Sequence, residues 1–143
     1  MANQFSYQIQ NDGWRNAVVK ITGVLDTSDA TLTPAVTLSD FTNNEPNGVR
    51  FVGFAIKHLW HSVGDGLEVQ LSWAGLNDQP IFAIAGRGRE SFEVIGPLQP
   101  NQANPGYNGN INLRTTGYGT GEDATMPIQN FTVLLEMIKL YKV

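Results

Sequence analysis

Asn130-Phe131-Thr132-Val133-Leu134-Leu135-Glu136-Met137-Ile138-Lys139-Leu140-Tyr141-Lys142-Val143 is the most apolar stretch of the chain, and its reading decides the fold. Two periods compete in it. Phe131, Leu134, Leu135 and Ile138 fit helical spacing, with Asn130 placed as a cap. Phe131, Val133, Leu135 and Met137 fit the period of two of a strand. The neighbourhood decides for the strand, because no other segment carries a helical period and the long loops are Gly-rich. A bulge or parity switch near Ile138 accommodates the last residues. A terminal segment frays unless something ties it down. This one is therefore read as an interior strand of a sheet or as a surface for another subunit.

Outward from it, the period of two recurs. Phe5, Tyr7 and Ile9 alternate with polar residues, and Asn11-Asp12-Gly13 supplies turn chemistry. Arg15 to Leu25 resumes with Ala17, Val19 and Ile21 on one face, which completes a β-hairpin. Thr31 to Leu38 is a weaker strand, and its Pro34 favours an edge or a bulge. Leu67, Val69, Leu71 and Trp73 form the cleanest alternation, after a turn at Gly64-Asp65-Gly66. Ile81 to Ala85 and Ser91 to Ile95 read as strands flanking a Gly86-Arg87-Gly88-Arg89 turn, and Ile111 and Leu113 mark another strand. Two polar loops, Pro97–Asn110 and Gly117–Thr125, lie between the later strands. From Val49 to Val63 the large residues fall on both parities: Phe51 and Leu59 on one, Val52, Phe54, Ile56 and Trp60 on the other. Such a strand is covered on both faces, or covered on one and used for subunit contact on the other. The pattern predicts one all-β domain over residues 1–143, an antiparallel β-sandwich of roughly eight or nine strands, jelly-roll-like in connection.

Composition narrows the function. A chain of 143 residues buries a core without staples, and the absence of cysteine removes disulfides, thiolate nucleophiles and thiolate metal sites. Net charge is −4 and charged residues make up only 15%, against roughly 25% in an average soluble domain. Nine scattered basic residues argue against nucleic acid as a partner. The N-terminus shows no basic and apolar signal-peptide regions. The C-terminal stretch, broken by Glu136 and Lys139, is too short and too charged to span a bilayer. The expectation is a soluble protein, made without secretion by that route and with no membrane partner.

Site chemistry is sparse. His58 and His61 are three residues apart on a strand, so they face opposite ways and do not chelate one metal together. No serine sits in a nucleophile elbow. Asp26, Asp29, Asp40, Asp65, Asp78, Glu122 and Asp123 lie near turns, where Asp usually hydrogen-bonds local amides. A calcium site from Asp26 with Asp29, or Glu122 with Asp123, would need carbonyl ligands that the sequence does not reveal. Gly86-Arg87-Gly88-Arg89 lacks the lysine and following helix of a phosphate loop. Trp14, Tyr107 and Tyr118, in a turn and in polar loops, suit stacking on sugars and suit protein interfaces equally. No catalytic, cofactor-binding or metal residue is assigned. The candidate interface residues are Trp14, Arg15, Phe54, Ile56, Trp60, Arg87, Arg89, Tyr107 and Tyr118.

Several segments resemble, in order, a family of small tailed-bacteriophage proteins encoded with virion structural genes. They are Asn11-Asp12-Gly13-Trp14-Arg15-Asn16-Ala17-Val18-Val19-Lys20, Asp65-Gly66-Leu67-Glu68-Val69-Gln70-Leu71-Ser72-Trp73 and Gly86-Arg87-Gly88. Gly109-Asn110-Ile111-Asn112-Leu113-Arg114-Thr115-Thr116-Gly117 and Leu134-Leu135-Glu136-Met137-Ile138-Lys139 complete the series. The resemblance implies a non-enzymatic decoration (cement) protein on the outer capsid, in the virion, with the major capsid protein as partner. It also implies a homo-oligomer, most simply a trimer, since such proteins commonly occupy three-fold positions. The local motive is the Val49–Val63 strand: an exposed row of either Phe51 and Leu59, or Phe54, Ile56 and Trp60, would need covering. Other copies would cover it, or loops 97–110 or 117–125 of the same chain. The alternatives are a glycan- or host-binding head or tail fibre module using Trp14, Tyr107 or Tyr118, and, third, a glycan hydrolase with paired carboxylates.

Overall fold

The computed structural model describes residues 3–26, 28–31, 33–41, 48–118 and 128–142. Nine strands run through them: β1 (Gln4–Asp12), β2 (Asn16–Leu25), β3 (Thr33–Val36), β4 (Arg50–Val63), β5 (Glu68–Trp73), β6 (Gln79–Ala85), β7 (Arg87–Ser91), β8 (Ile111–Thr116) and β9 (Gln129–Lys142). A single 3-10 turn at Leu38–Asp40 is the only helical element among the described residues. No helix among them is long and apolar enough to cross a membrane.

Two antiparallel sheets form the sandwich, one ordered β1-β2-β9-β4-β7 and the other β3-β8-β5-β6. The C-terminal segment is therefore a strand, and it lies at the centre of the larger sheet. Its alternation is unbroken: Phe131, Val133, Leu135, Met137 and Lys139 are all buried, and no parity switch occurs at Ile138. After β1, the strands pair in a nested series, β2 with β9, β3 with β8, β4 with β7 and β5 with β6. From β2 onward successive strands thus alternate between sheets except at the β5–β6 hairpin, and β6 crosses to β7 over one residue, Gly86. Gly86 has φ +67, a conformation that costs a residue with a Cβ about 1 kcal/mol or more.

The Gly-Arg-Gly-Arg segment is not a turn. Arg87 to Ser91 form β7 along β4, with Trp60 opposite Arg89 and Ser62 opposite Arg87, and no strand runs from Ser91 to Ile95. The mixed parity of β4 also has a different cause from either expected one. Relative to β9, register shifts insert Val52 and Lys57 as bulges. Each bulge adds a residue and flips the parity that follows. Phe51, Phe54, Ile56, Leu59 and Val63 consequently all lie opposite inward residues of β9. The expected exposed row does not exist: Phe54, Ile56 and Leu59 are completely buried. Together with Leu135 and Met137 they meet Val69, Leu71, Ile111 and Leu113 of the smaller sheet in one core. Each such side chain contributes about 2 kcal/mol by leaving water.

The same chain also closes the edge of β4. Beyond β7, Phe92 N donates to Lys57 O (3.0 Å), and Ile56 and Leu98 exchange two backbone hydrogen bonds of 2.9 Å. Tyr107 Oη then donates to Val52 O (3.0 Å). So loop 97–110 does fold against β4; residues 119–125 of the second loop lie outside the described residues.

Candidate functional site

The two outer faces of the sandwich differ in kind. On the smaller sheet, Glu68, Gln70 and Ser72 stand opposite Thr116, Arg114 and Asn112. These groups satisfy one another: Arg114 Nε donates to Gln70 Oε1 and Gln70 Nε2 to Glu68 Oε1, both at 2.7 Å. Asn112 Nδ2 (2.9 Å) and Ser72 Oγ (3.3 Å) both donate to Asp78 Oδ2. Such a face is polar, internally bonded and suited to water.

On the larger sheet several outward positions of the central strands are apolar, and they surround Glu136, which stands between Val18 and His58. Leu134, Ile138 and Leu140 of β9 and Val18 of β2 are half-buried, each between fully inward neighbours. Register aligns Gln8, Lys20, Leu134, Trp60 and Arg89 into one row across five strands. Ala55 lies opposite Ile138, and Gly53 opposite Leu140. The Arg89 guanidinium sits over the Trp60 ring at 5.3 Å, a cation–π contact across the β4–β7 ladder. Aromatic and Arg side chains over an apolar stripe make up the core composition of protein interfaces.

A polar pair, His58 opposite Glu136, interrupts the stripe. His58, beside Trp60 (ring centroids 5.6 Å), is buried, and its Nε2 donates to Glu93 Oε1 at 3.0 Å. Its Nδ1 is the one buried side-chain polar atom without a partner among the described residues. Glu93 opens the turn that carries Val94 (99% exposed) and Ile95 (78% exposed), so two bare apolar side chains project from the β4 edge of this sheet.

The expected site residues divide. Trp60, Arg87 and Arg89 come together at the β4–β7 ladder. Phe54 and Ile56 are corrected to core, for the bulge reason given above. Tyr118 is corrected likewise: it is buried, and its backbone N donates to Asp29 Oδ1 (3.0 Å). Trp14 and Arg15 are exposed at the β1–β2 turn, where Trp14 stacks on Tyr141 (centroids 6.5 Å) and Tyr141 Oη donates to Trp14 O (2.9 Å). Tyr107 lies half-buried across the molecule's β4 edge, with its hydroxyl committed to Val52. Missed by sequence reasoning were Val18, Leu134, Ile138 and Leu140. The signal was present, since both parities of β9 are apolar.

No group of three His, Asp or Glu residues is placed to hold a metal among the described residues. His58 and His61 face opposite ways, and His61 Nδ1 donates to Gly86 O at 3.0 Å. Asp29 takes hydrogen bonds from Thr115 Oγ1 and Tyr118 N, a loop-pinning role. Glu122 and Asp123 lie outside the described residues. No family model, no curated protein and no solved structure matches the chain.

Proposed function

We propose that the chain is a non-enzymatic virion component, a decoration protein that binds the major capsid protein on the outside of a tailed-bacteriophage head and stabilises the shell. The observation that carries this reading is the asymmetry of the sandwich: one outer face is polar and self-satisfied, the other bears an apolar stripe around Leu134 with Trp60 and Arg89. A cementing protein needs a rigid scaffold and a face that adds contact area across neighbouring capsomers, many weak contacts acting together. The ordered resemblance to small phage virion proteins supports the same assignment. So does the nested strand pairing, which we read as a jelly roll preceded by one extra strand, an architecture frequent in capsid and lectin domains.

Self-association belongs to this proposal. A trimer would place three copies of the stripe around a local three-fold of the shell, and light scattering at micromolar concentration reads whether it forms before docking. The decisive experiment is an averaged density map of the particle. Density for this protein on the capsid lattice supports the role; density confined to the tail rejects it.

A further inference from the structure

At the end of the sandwich, away from the Trp60 row, Arg50 of β4 and Lys142 of β9 stand directly opposite each other. Like charges in that relation repel, since directly opposed Cβ atoms lie only about 5 Å apart. Neither has an ion-pair or hydrogen-bond partner among the described residues. They rim an open cleft of about 350 Å³. Its apolar wall is Leu38, Phe51 and the Tyr107 ring, and its polar wall is Gln102 and Asn108. No Asp or Glu lines it among the described residues. Asn108 Oδ1 already accepts from Asn110 N (3.0 Å), which leaves its NH₂ group free to donate. The Gln102 amide is uncommitted. The cleft continues into a groove beside Thr37 and Ser39.

We propose that this cleft binds a carboxylate-bearing sugar residue of a glycan. Arg50 and Lys142 take the carboxylate, Arg50 through its planar fork. Gln102 and Asn108 bond ring hydroxyls, and the Tyr107 face packs on the sugar's C–H surface. The volume lies at the lower end of the range for small-ligand pockets, too large for one acidic side chain and suited to a monosaccharide. The Thr37–Ser39 groove gives a second sugar a place to run. The anion offsets a like-charge repulsion that no carboxylate among the described residues of the cleft offsets.

The test is a titration of the full chain, followed by amide NMR, with galacturonate and N-acetylneuraminate against neutral galactose and inorganic phosphate. Saturable shifts at Gln102, Tyr107 and Asn108 with an acidic sugar, and none with galactose, are expected. Arg50→Gln and Lys142→Gln should each weaken binding by about tenfold or more, the usual scale for a charged hydrogen bond. Arg114→Gln, on the polar face, should leave it unchanged. Gln102→Glu, a loop change that leaves both strands intact, should abolish it. Equal binding of galactose, or phosphate binding as well as the sugar acid, overturns the proposal, as does the absence of saturable shifts. Capsid docking is read separately on particles, so failure of one assignment leaves the other standing.

Discussion

Lys139 buries its ammonium against the carboxylate of Asp12, beneath the β1–β2 turn. The lysine follows Leu135 and Met137 in phase, so it points into the sandwich, and its side chain is only 1% exposed. The rings of Phe51 and Phe41 lie 5.6 and 5.8 Å from Nζ, and Lys139 N donates to Arg15 O at 2.7 Å. The pair thus ties the central C-terminal strand to the N-terminal hairpin. Removing the Asp12 carboxylate takes a counter-charge from a buried ammonium, so Asp12→Ala should cost about 3–5 kcal/mol in urea unfolding. The double change Asp12→Leu with Lys139→Met should recover most of it. A loss under about 1 kcal/mol for Asp12→Ala would show that the ammonium relaxes to water instead.

Lys139 also explains what the sequence conceals. The sequence reading places a bulge or parity switch near Ile138, but Lys139 keeps the inward phase, because the Asp12 carboxylate that pairs with it lies far off in sequence, invisible to local pattern. Strands with one wet face, such as β1, β2 and β5, were legible because alternation records burial directly. Bulges erase that record. The inserted Val52 and Lys57 make a one-faced strand look two-faced, and that error alone moved Phe54 and Ile56 from core to expected surface. β7 has no large apolar residue to alternate, and its strand character comes from pairing with β4. Of the candidate site, Trp60, Arg87 and Arg89 were legible as types, while their convergence with Leu134 needed the register.

Gly53 and Tyr107 make a second close approach. A Cβ at Gly53 would lie 2.0 Å from Tyr107 Oη, so the tyrosine must leave if alanine enters. Gly53→Ala should cost about 2 kcal/mol or more, through loss of both packing and the bond to Val52 O. Tyr107→Phe should cost about 1 kcal/mol. Because both act on one contact, Gly53→Ala should cost less in the Tyr107→Phe background, and thermodynamic additivity would refute the coupling.

Burial pushes the Tyr107 hydroxyl from its ordinary 10.0 up to about 12. The folded chain therefore holds this proton more tightly than the unfolded chain. Its contribution to stability is complete below pH 10 and declines as pH rises from about 10 to 12. Ultraviolet titration should show a late-ionising component from Tyr107, and the Tyr107→Phe variant should lose it. The fall in unfolding free energy across the same window should be shallower in the variant. An unchanged alkaline titration in Tyr107→Phe rejects the assignment.

The Trp60–Leu134 row gives the sharpest test of the proposed interaction face. Leu134 is half-buried and outward, and Lys20 lies directly opposite it on β2. Leu134→Glu therefore removes the apolar centre of the stripe while offering the new carboxylate a cross-strand partner. Stability should change by no more than about 1 kcal/mol, the span of strand preference. Trp60→Ala removes the indole that carries Arg89 and, as a central aromatic anchor, should weaken docking by about thirtyfold or more. Thr116→Lys, on the opposite polar face, serves as the control. In a sedimentation assay with undecorated particles, Leu134→Glu and Trp60→Ala should fail to co-sediment at concentrations that saturate the unmodified protein, whereas Thr116→Lys binds. Loss of particle binding only in the Thr116 variant would assign docking to the smaller sheet; full binding by a folded Leu134→Glu removes the larger sheet's outer face from the mechanism.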